Sequence, residues 1–299
     1  MIDSMIVVLG ATGNTGRLVA SHLLDAGRRV RVVGRSADRL RELTARGAEA
    51  AVGDLADVDF LSRAFAGAGS AYLMVPPNAT APDFLAYSDD TVTGIVRAAR
   101  AARLPYAVLL SSLGADQLTG TGPIRGLHAA EARLANLSGL TLVTLRAAYF
   151  MENQFGSLGM IKHMGINGGV IAPDLRMPMI ATADIARVAA DTLMERTGSG
   201  VIVRELLGSR DVTMREVTTL LGAAIGAPDL PYVPFADADF IGGLIGAGIS
   251  PDMAALYAEM SHAINDGRAN PLQPRTAEST TPTTIEAFMP SLAAAYRQL

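Results

Sequence analysis

From Met5 onward, short runs rich in valine and isoleucine alternate with longer Ala/Leu/Arg stretches whose apolar residues recur at helical spacing. Parallel strands need a crossover of about a dozen residues or more, so this alternation predicts βαβ units and a parallel sheet covered by helices. Strands are expected at 5–10, 29–35, 49–55, 70–76, 106–112 and 141–147, with helices at about 15–27, 37–46, 57–67, 84–103 and 127–138. After Phe150 the rhythm loosens into glycines, methionines and loop-like pieces over 153–180. A helix at 182–195, a strand at 201–206 and helices at 213–225, 251–266 and 284–297 follow.

The glycines fix the type of sheet. "VVLGATGNTGRLVASHLL" sets Gly10, Gly13 and Gly16 as G-x-x-G-x-x-G between a strand and an amphipathic helix. This context lets amides at a helix N-terminus meet a pyrophosphate, with Thr12, Asn14 and Thr15 offering side chains beside it. The expected fold is therefore α/β: a Rossmann-type doubly wound parallel sheet with a smaller C-terminal substrate-binding domain. Residues 1–152 would form the dinucleotide domain, with a return near 177–206, and 153–299 the smaller substrate or lid domain.

Composition narrows the partner. With 25 basic against 29 acidic side chains, no long-range positive field gathers nucleic acid or anionic membrane, so a small ligand is expected. Cysteine is absent and the four histidines form no ligand-like cluster, which argues against a metal site. "MIDSMIVVL" reads as a strand rather than a signal peptide, and "FIGGLIGAGI" (240–249) is far shorter than a membrane span. A soluble cytoplasmic protein, monomer or homodimer, is the expectation.

At the end of the second strand, where an NAD-binding fold carries a carboxylate for the ribose, stand Gly34, Arg35 and Ser36. An arginine there bonds a 2′-phosphate that a carboxylate would repel, which favours NADPH over NADH. Arg39 and Arg31 are further candidates, although an arginine on a helix is more often merely solvated. Asp54 either accepts a bond from adenine while Leu55 packs on the ring, or caps the helix at 57; both readings stay open. "MVPP" (74–77) ends the fourth strand, and its prolines stiffen the loop beside the cofactor.

The chain resembles the NmrA-like branch of the atypical short-chain dehydrogenase/reductases, which includes NAD(P)H-dependent quinone and azo reductases and redox-sensing regulators. The likeness rests on "GATGNTG", "VVGRSADRL", "GDLAD", "YLMVPP", "VLLSSLGA", "LRAAYFMEN" and "MPMIATADIARVAADTL", in that order. It implies cofactor contacts from Gly10 to Gly16, Arg35, Ser36, Asp54 and Leu55, with Val75, Pro76 and Pro77 flanking ribose and nicotinamide. Tyr149, Phe150 and Asn153 would face the nicotinamide and the substrate pocket.

Short-chain carbonyl reductases protonate the acceptor oxygen with Tyr-x-x-x-Lys. Counting back from Glu131, the two positions hold Leu127 and Pro123, neither of which transfers a proton. Ser111 and Ser112 at the end of the fifth strand, His128 on the following helix and His163 are the candidate replacements. Alternatively the acceptor needs no enzyme acid: a quinone takes hydride to give a delocalised anion that water protonates. Tyr149, Phe150, Met151, Phe155, Met160 and Met164 would then supply an apolar slot. The leading reading is an NADPH-dependent reductase of a quinone or conjugated aromatic carbonyl. The alternatives are a non-catalytic NADP(H)-binding redox sensor and, less favoured, an isomerase or epimerase.

Overall fold

A computed structural model of the chain describes residues 4–299. Its first half is a strict alternation: β1 (Met5–Val8), α1 (Asn14–Asp25), β2 (Val30–Gly34), α2 (Ala37–Ala45), β3 (Glu49–Val52), α3 (Val58–Phe65), β4 (Ala68–Leu73), α4 (Phe84–Ala101), β5 (Tyr106–Ser112), α5 (Ile124–Ala135) and β6 (Thr141–Ala147). There follow β7 (Tyr149–Phe150), a 3-10 segment (Met151–Ser157), α6 (Leu158–Met164), β8 (Asn167–Gly169), β9 (Met177–Ile180), α7 (Thr182–Glu195) and β10 (Val201–Leu206). The chain ends with β11 (Asp211–Val212), α8 (Met214–Ile225), β12 (Tyr232–Pro234), α9 (Asp237–Gly246), α10 (Pro251–Asn265) and α11 (Ile285–Gln298).

Seven parallel strands form the central sheet in the order β10-β6-β5-β4-β1-β2-β3. The chain leaves β1 toward β2 on one side and returns to β4 on the other. That reversal opens a crevice at the carboxyl ends of β1 and β4, where Rossmann-type folds take their ligands. The period of two sorts the apolar residues to the two faces: Val8, Val32, Tyr72 and Val108 pack with α1 and α7, and Val7, Leu9, Leu73 and Leu109 with α3, α4 and α5. A third core, including Met177, Val217, Ile264 and Leu292, gathers β9, α8, α10 and α11 beyond the sheet.

β5 and β6 match the sequence expectation to the residue, whereas β1, β3 and β4 end two or three residues early. There the chain turns out of the sheet into the crevice loops, as at Gly10 with its φ of +61°. The helix expected from 127 begins at Ile124, with Pro123 at its N-cap. The stretch read as loops holds α6 and short strands: β9 lies between β7 and β11, and β8 pairs with β12. Strands of two to four residues are too short to print a period in sequence. α9, also unforeseen, is a helix of ten residues with none buried.

The tail is strapped to the sheet. Asp184 in the first turn of α7 accepts from the Thr283 amide (2.9 Å) and hydroxyl (2.8 Å), and Glu205 at the end of β10 accepts from the Leu272 amide (2.8 Å). Asp184→Ala should leave both Thr283 donors without this partner and cost about 1–3 kcal/mol. Urea unfolding checks this, and Thr283→Val in the same background should cost little more.

Candidate functional site

The crevice begins at a backbone contact that only glycine permits. A Cβ on Gly16 would stand 2.3 Å from the Gly10 carbonyl oxygen, and one on Gly10 would stand 2.7 Å from the Met74 sulfur. Gly13, at the N-cap of α1, is extended; no side chain caps the helix and its first turn carries no acid. The positive end of α1 therefore opens on a bare cradle with Asn14 exposed beside it, the donor set a pyrophosphate requires. Thr15 turns inward beside Tyr72, while Thr12 stays at the surface of the loop and packs over Gly34.

Arg35 is exposed at the end of β2, and Ser36 caps α2 by accepting the Arg39 amide at 3.4 Å. The Arg39 guanidinium leans back over the glycine loop and donates to the Thr12 carbonyl at 3.3 Å, so two cations stand at this rim. Arg31 is committed elsewhere: it donates to Glu49 (2.7 Å) and to the Ala64 carbonyl (2.7 Å), and holds the Glu49 carboxyl below the usual range. Asp54 is exposed and accepts the Ala56 amide at 2.9 Å in an Asx turn, while Asp57 caps α3, so capping is not the task of Asp54. Leu55 packs half-buried against the sheet. Tyr87 of α4 stands close enough to Arg35 and Asp54 for both charges to act on its hydroxyl. Its spacing on an amphipathic helix gave no sign of this.

Val75 and Pro76 are half-buried and Pro77 exposed in the loop leaving β4. The β4–β5 pairing ends at Leu73 and Leu109; Val75 follows in the loop, while Ser111 continues on β5. Ser111, 2% exposed, donates to Glu131 Oε1 at 2.5 Å, and Arg146 clasps the same carboxylate through Nε (3.1 Å) and Nη2 (2.7 Å). Asp116 approaches Arg146 at 3.7 Å. Ser112 donates to the Leu113 carbonyl at 2.9 Å. His128 Nδ1 lies 2.9 Å from the Ala115 carbonyl, which only accepts, so that nitrogen carries the hydrogen and Nε2 holds the lone pair when the ring is neutral. α5 (IRGLHAAEARLA) has no tyrosine or lysine. The Glu131–Arg146 pair escaped the sequence reading, although an arginine inside the strand "TLVTLRA" was a signal, since buried charges come paired.

Tyr149 and Phe150 stand half-buried at the lip that follows β6. Burial pushes the Tyr149 hydroxyl up to about 12 against the opposing hydrogen bond of Asn153, and the nearby Tyr257 hydroxyl adds to the rise. Met151 belongs to the third core, Phe155 packs edge-on to Phe288 at 5.9 Å, and His163 and Met164 are exposed on α6. Of the residues expected to form an apolar slot, Tyr149 and Phe150 stand at this lip with Tyr257 nearby, whereas Met164 is exposed on α6 and Met151 is in the third core.

Residues 10–196 match the family described as NAD(P)H-binding. The (4-alkanoyl-5-oxo-2,5-dihydrofuran-3-yl)methyl phosphate reductase of Streptomyces griseus is 30% identical over 226 residues, 75% of each chain. The NAD(P)H azoreductase of Xenophilus azovorans is 26% identical over 263 residues, 86% of each. Among solved structures, an NADPH-dependent quinone oxidoreductase of Escherichia coli, complexed with NADPH, superposes with a TM-score of 0.81 at 23% identity, covering 96% of this chain and 99% of that one. The triphenylmethane reductase of a Citrobacter species does so with a TM-score of 0.80 at 20% identity, covering 97% and 99%.

A tyrosine that stays neutral in the fold but ionises near pH 10 in the unfolded chain stabilises the protein below pH 10, and that stability is lost as pH rises toward 12. Tyr149→Phe should therefore flatten the fall in stability between about pH 10 and 12, measured by urea unfolding across that range.

Proposed function

Because the chain belongs to the NAD(P)H-binding family, we propose that it is an NADPH-dependent reductase that delivers hydride to a quinone or similarly conjugated aromatic acceptor. When bound, the reduced nicotinamide supplies the hydride. Gly10, Thr12, Gly13, Asn14 and Gly16 hold the pyrophosphate over the open end of α1. Arg35, Ser36 and Arg39 bind the 2′-phosphate, and Asp54 and Leu55 flank the adenine. Val75, Pro76 and Pro77 back the ribose, while Tyr149, Phe150 and Asn153 orient the acceptor. Residues 1–152, with the return at 177–206, serve the cofactor, and 153–299 serve the acceptor.

One observation carries the choice of acceptor: Ser111, Ser112 and the Nδ1 position of His128 each commit a hydrogen to a protein acceptor. Neither serine proton is free for an alkoxide, and the His128 ring has one to give only when it is protonated at Nε2 as well. A quinone fits such a site, because its reduced anion is delocalised and takes its proton from water, leaving the protein to position two flat rings at about 3–3.5 Å. The kinship with an azoreductase and the structural likeness to a quinone oxidoreductase support the same class.

Purified protein should oxidise NADPH in the presence of quinones or azo dyes, followed by loss of NADPH absorbance. No turnover across such a panel, with tight NADP⁺ binding retained, would replace this reading with a cofactor-binding sensor. Arg35→Ala should weaken NADPH by about 10–100-fold and NADH far less, since it removes a charge-assisted bond that only the 2′-phosphate makes. His128→Ala should leave the turnover rate and its pH profile unchanged.

A further inference from the structure

α9 is an apolar helix left on the surface. In DADFIGGLIG no residue is buried: Phe240, Ile241 and Leu244 are half-exposed, and Ile245 is 42% exposed. Among the described residues, none of these four belongs to a core cluster. Gly242, Gly243 and Gly246 have open space where a Cβ would stand, so no close approach requires glycine there, and their effect is to weaken the helix. α9 packs on α10, and its Asp237 carboxylate meets His262 Nε2 at 2.9 Å in an exposed pair.

Its two ends are tied to different parts of the molecule, one to the cluster that holds Tyr149 and the other to the loop after β4. The N-terminal end leaves β12, whose Tyr232 hydroxyl lies near that of Tyr149 at the lip, and Phe235 lies close over Gly168. At the C-terminal end the Ser250 amide donates to the Ala79 carbonyl at 2.8 Å, in the loop that begins with Val75 and Pro76. Ile249 packs in one cluster with Ala81, Phe84, Tyr87 and Tyr257. The segment thus joins the acceptor lip to the cofactor loop.

We propose that α9 is a lid that closes its apolar residues over a flat, apolar acceptor and so selects that class of substrate, with the Ala79–Ser250 bond transmitting cofactor binding to it. The identity of the acceptor rests on the reductase reading; the coupling to the cofactor loop does not.

Hydrogen exchange of the full chain, read by mass spectrometry, tests the coupling. Amides of α9 should exchange faster than those of α10 in the free protein and slow about fivefold or more when NADP⁺ is added. Gly242→Ala and Gly243→Ala should each slow α9 exchange in the free protein by about fivefold, the alanine–glycine difference in helix propensity. Equal protection of α9 and α10 without NADP⁺, or no response to it, would overturn the lid. In kinetics, Leu244→Asp and Ile245→Asp should raise KM for menadione about tenfold and leave the NADPH dissociation constant unchanged. An unchanged KM in a protein that reduces menadione sinks the lid and spares the reductase reading. If the parent protein fails to reduce menadione or any other acceptor, the reductase reading falls and the exchange results decide the lid alone.

Discussion

The approach of α1 to the end of β1 is the contact on which the site depends. With the Gly16 Cα this close to the Gly10 carbonyl, no side chain fits between helix and strand. The helix start is therefore uncapped, and its amides point into the crevice rather than at a neighbouring serine or aspartate. The second layer is built around this bare end: Thr12 packs over Gly34, and Arg39 reaches back to the Thr12 carbonyl. A positive rim and a neutral cradle result from local geometry, in a chain whose net charge is −4.

Across the sheet a second arrangement divides the labour. Burying a carboxylate is costly unless its oxygens are bonded and its charge is met, and Glu131 achieves both through Ser111 and Arg146. The pair joins α5 to the ends of β5 and β6, and Asp116 extends it into the loop above. Rigidity at the strand ends is obtained by tying up a polar group that a proton-delivering site would leave free. Tyrosines and apolar residues stand at the lip after β6, while backbone amides and arginines stand at the glycine loop and the end of β2.

Much of this was legible in the sequence, for physical reasons that differ by element. β5 and β6 are buried on both faces over most of their length, so their apolar runs end where the strands end. The first strand blurred into its turn because Leu9 is as buried as the strand itself. The glycine motif announced its loop because steric exclusion leaves no alternative residue. Which arginine joins Arg35 at the rim was not legible: Arg31 on the strand and Arg39 on the helix both lie four residues from it, and only packing sends the first to Glu49 and the second to Thr12. α9 has apolar residues with no opposing polar face beyond its first turn, so neither amphipathic periodicity nor length marked it as a helix.

The seventh strand has a consequence for how the molecule is made. Six strands of the sheet are complete within the first 147 residues, and their order lets each new βα unit add beside strands already emerged. β10 closes the edge beside β6 only after the chain has passed through β7, β8 and β9, and the straps to Asp184 and Glu205 come from residues 272–283. During synthesis β6 thus stands as an open edge for more than fifty residues of chain growth, its main-chain groups available to any passing strand. The nascent chain is open to mispairing in that interval, which closes when β10 pairs with β6; the later tail then fastens β10 and α7 in place.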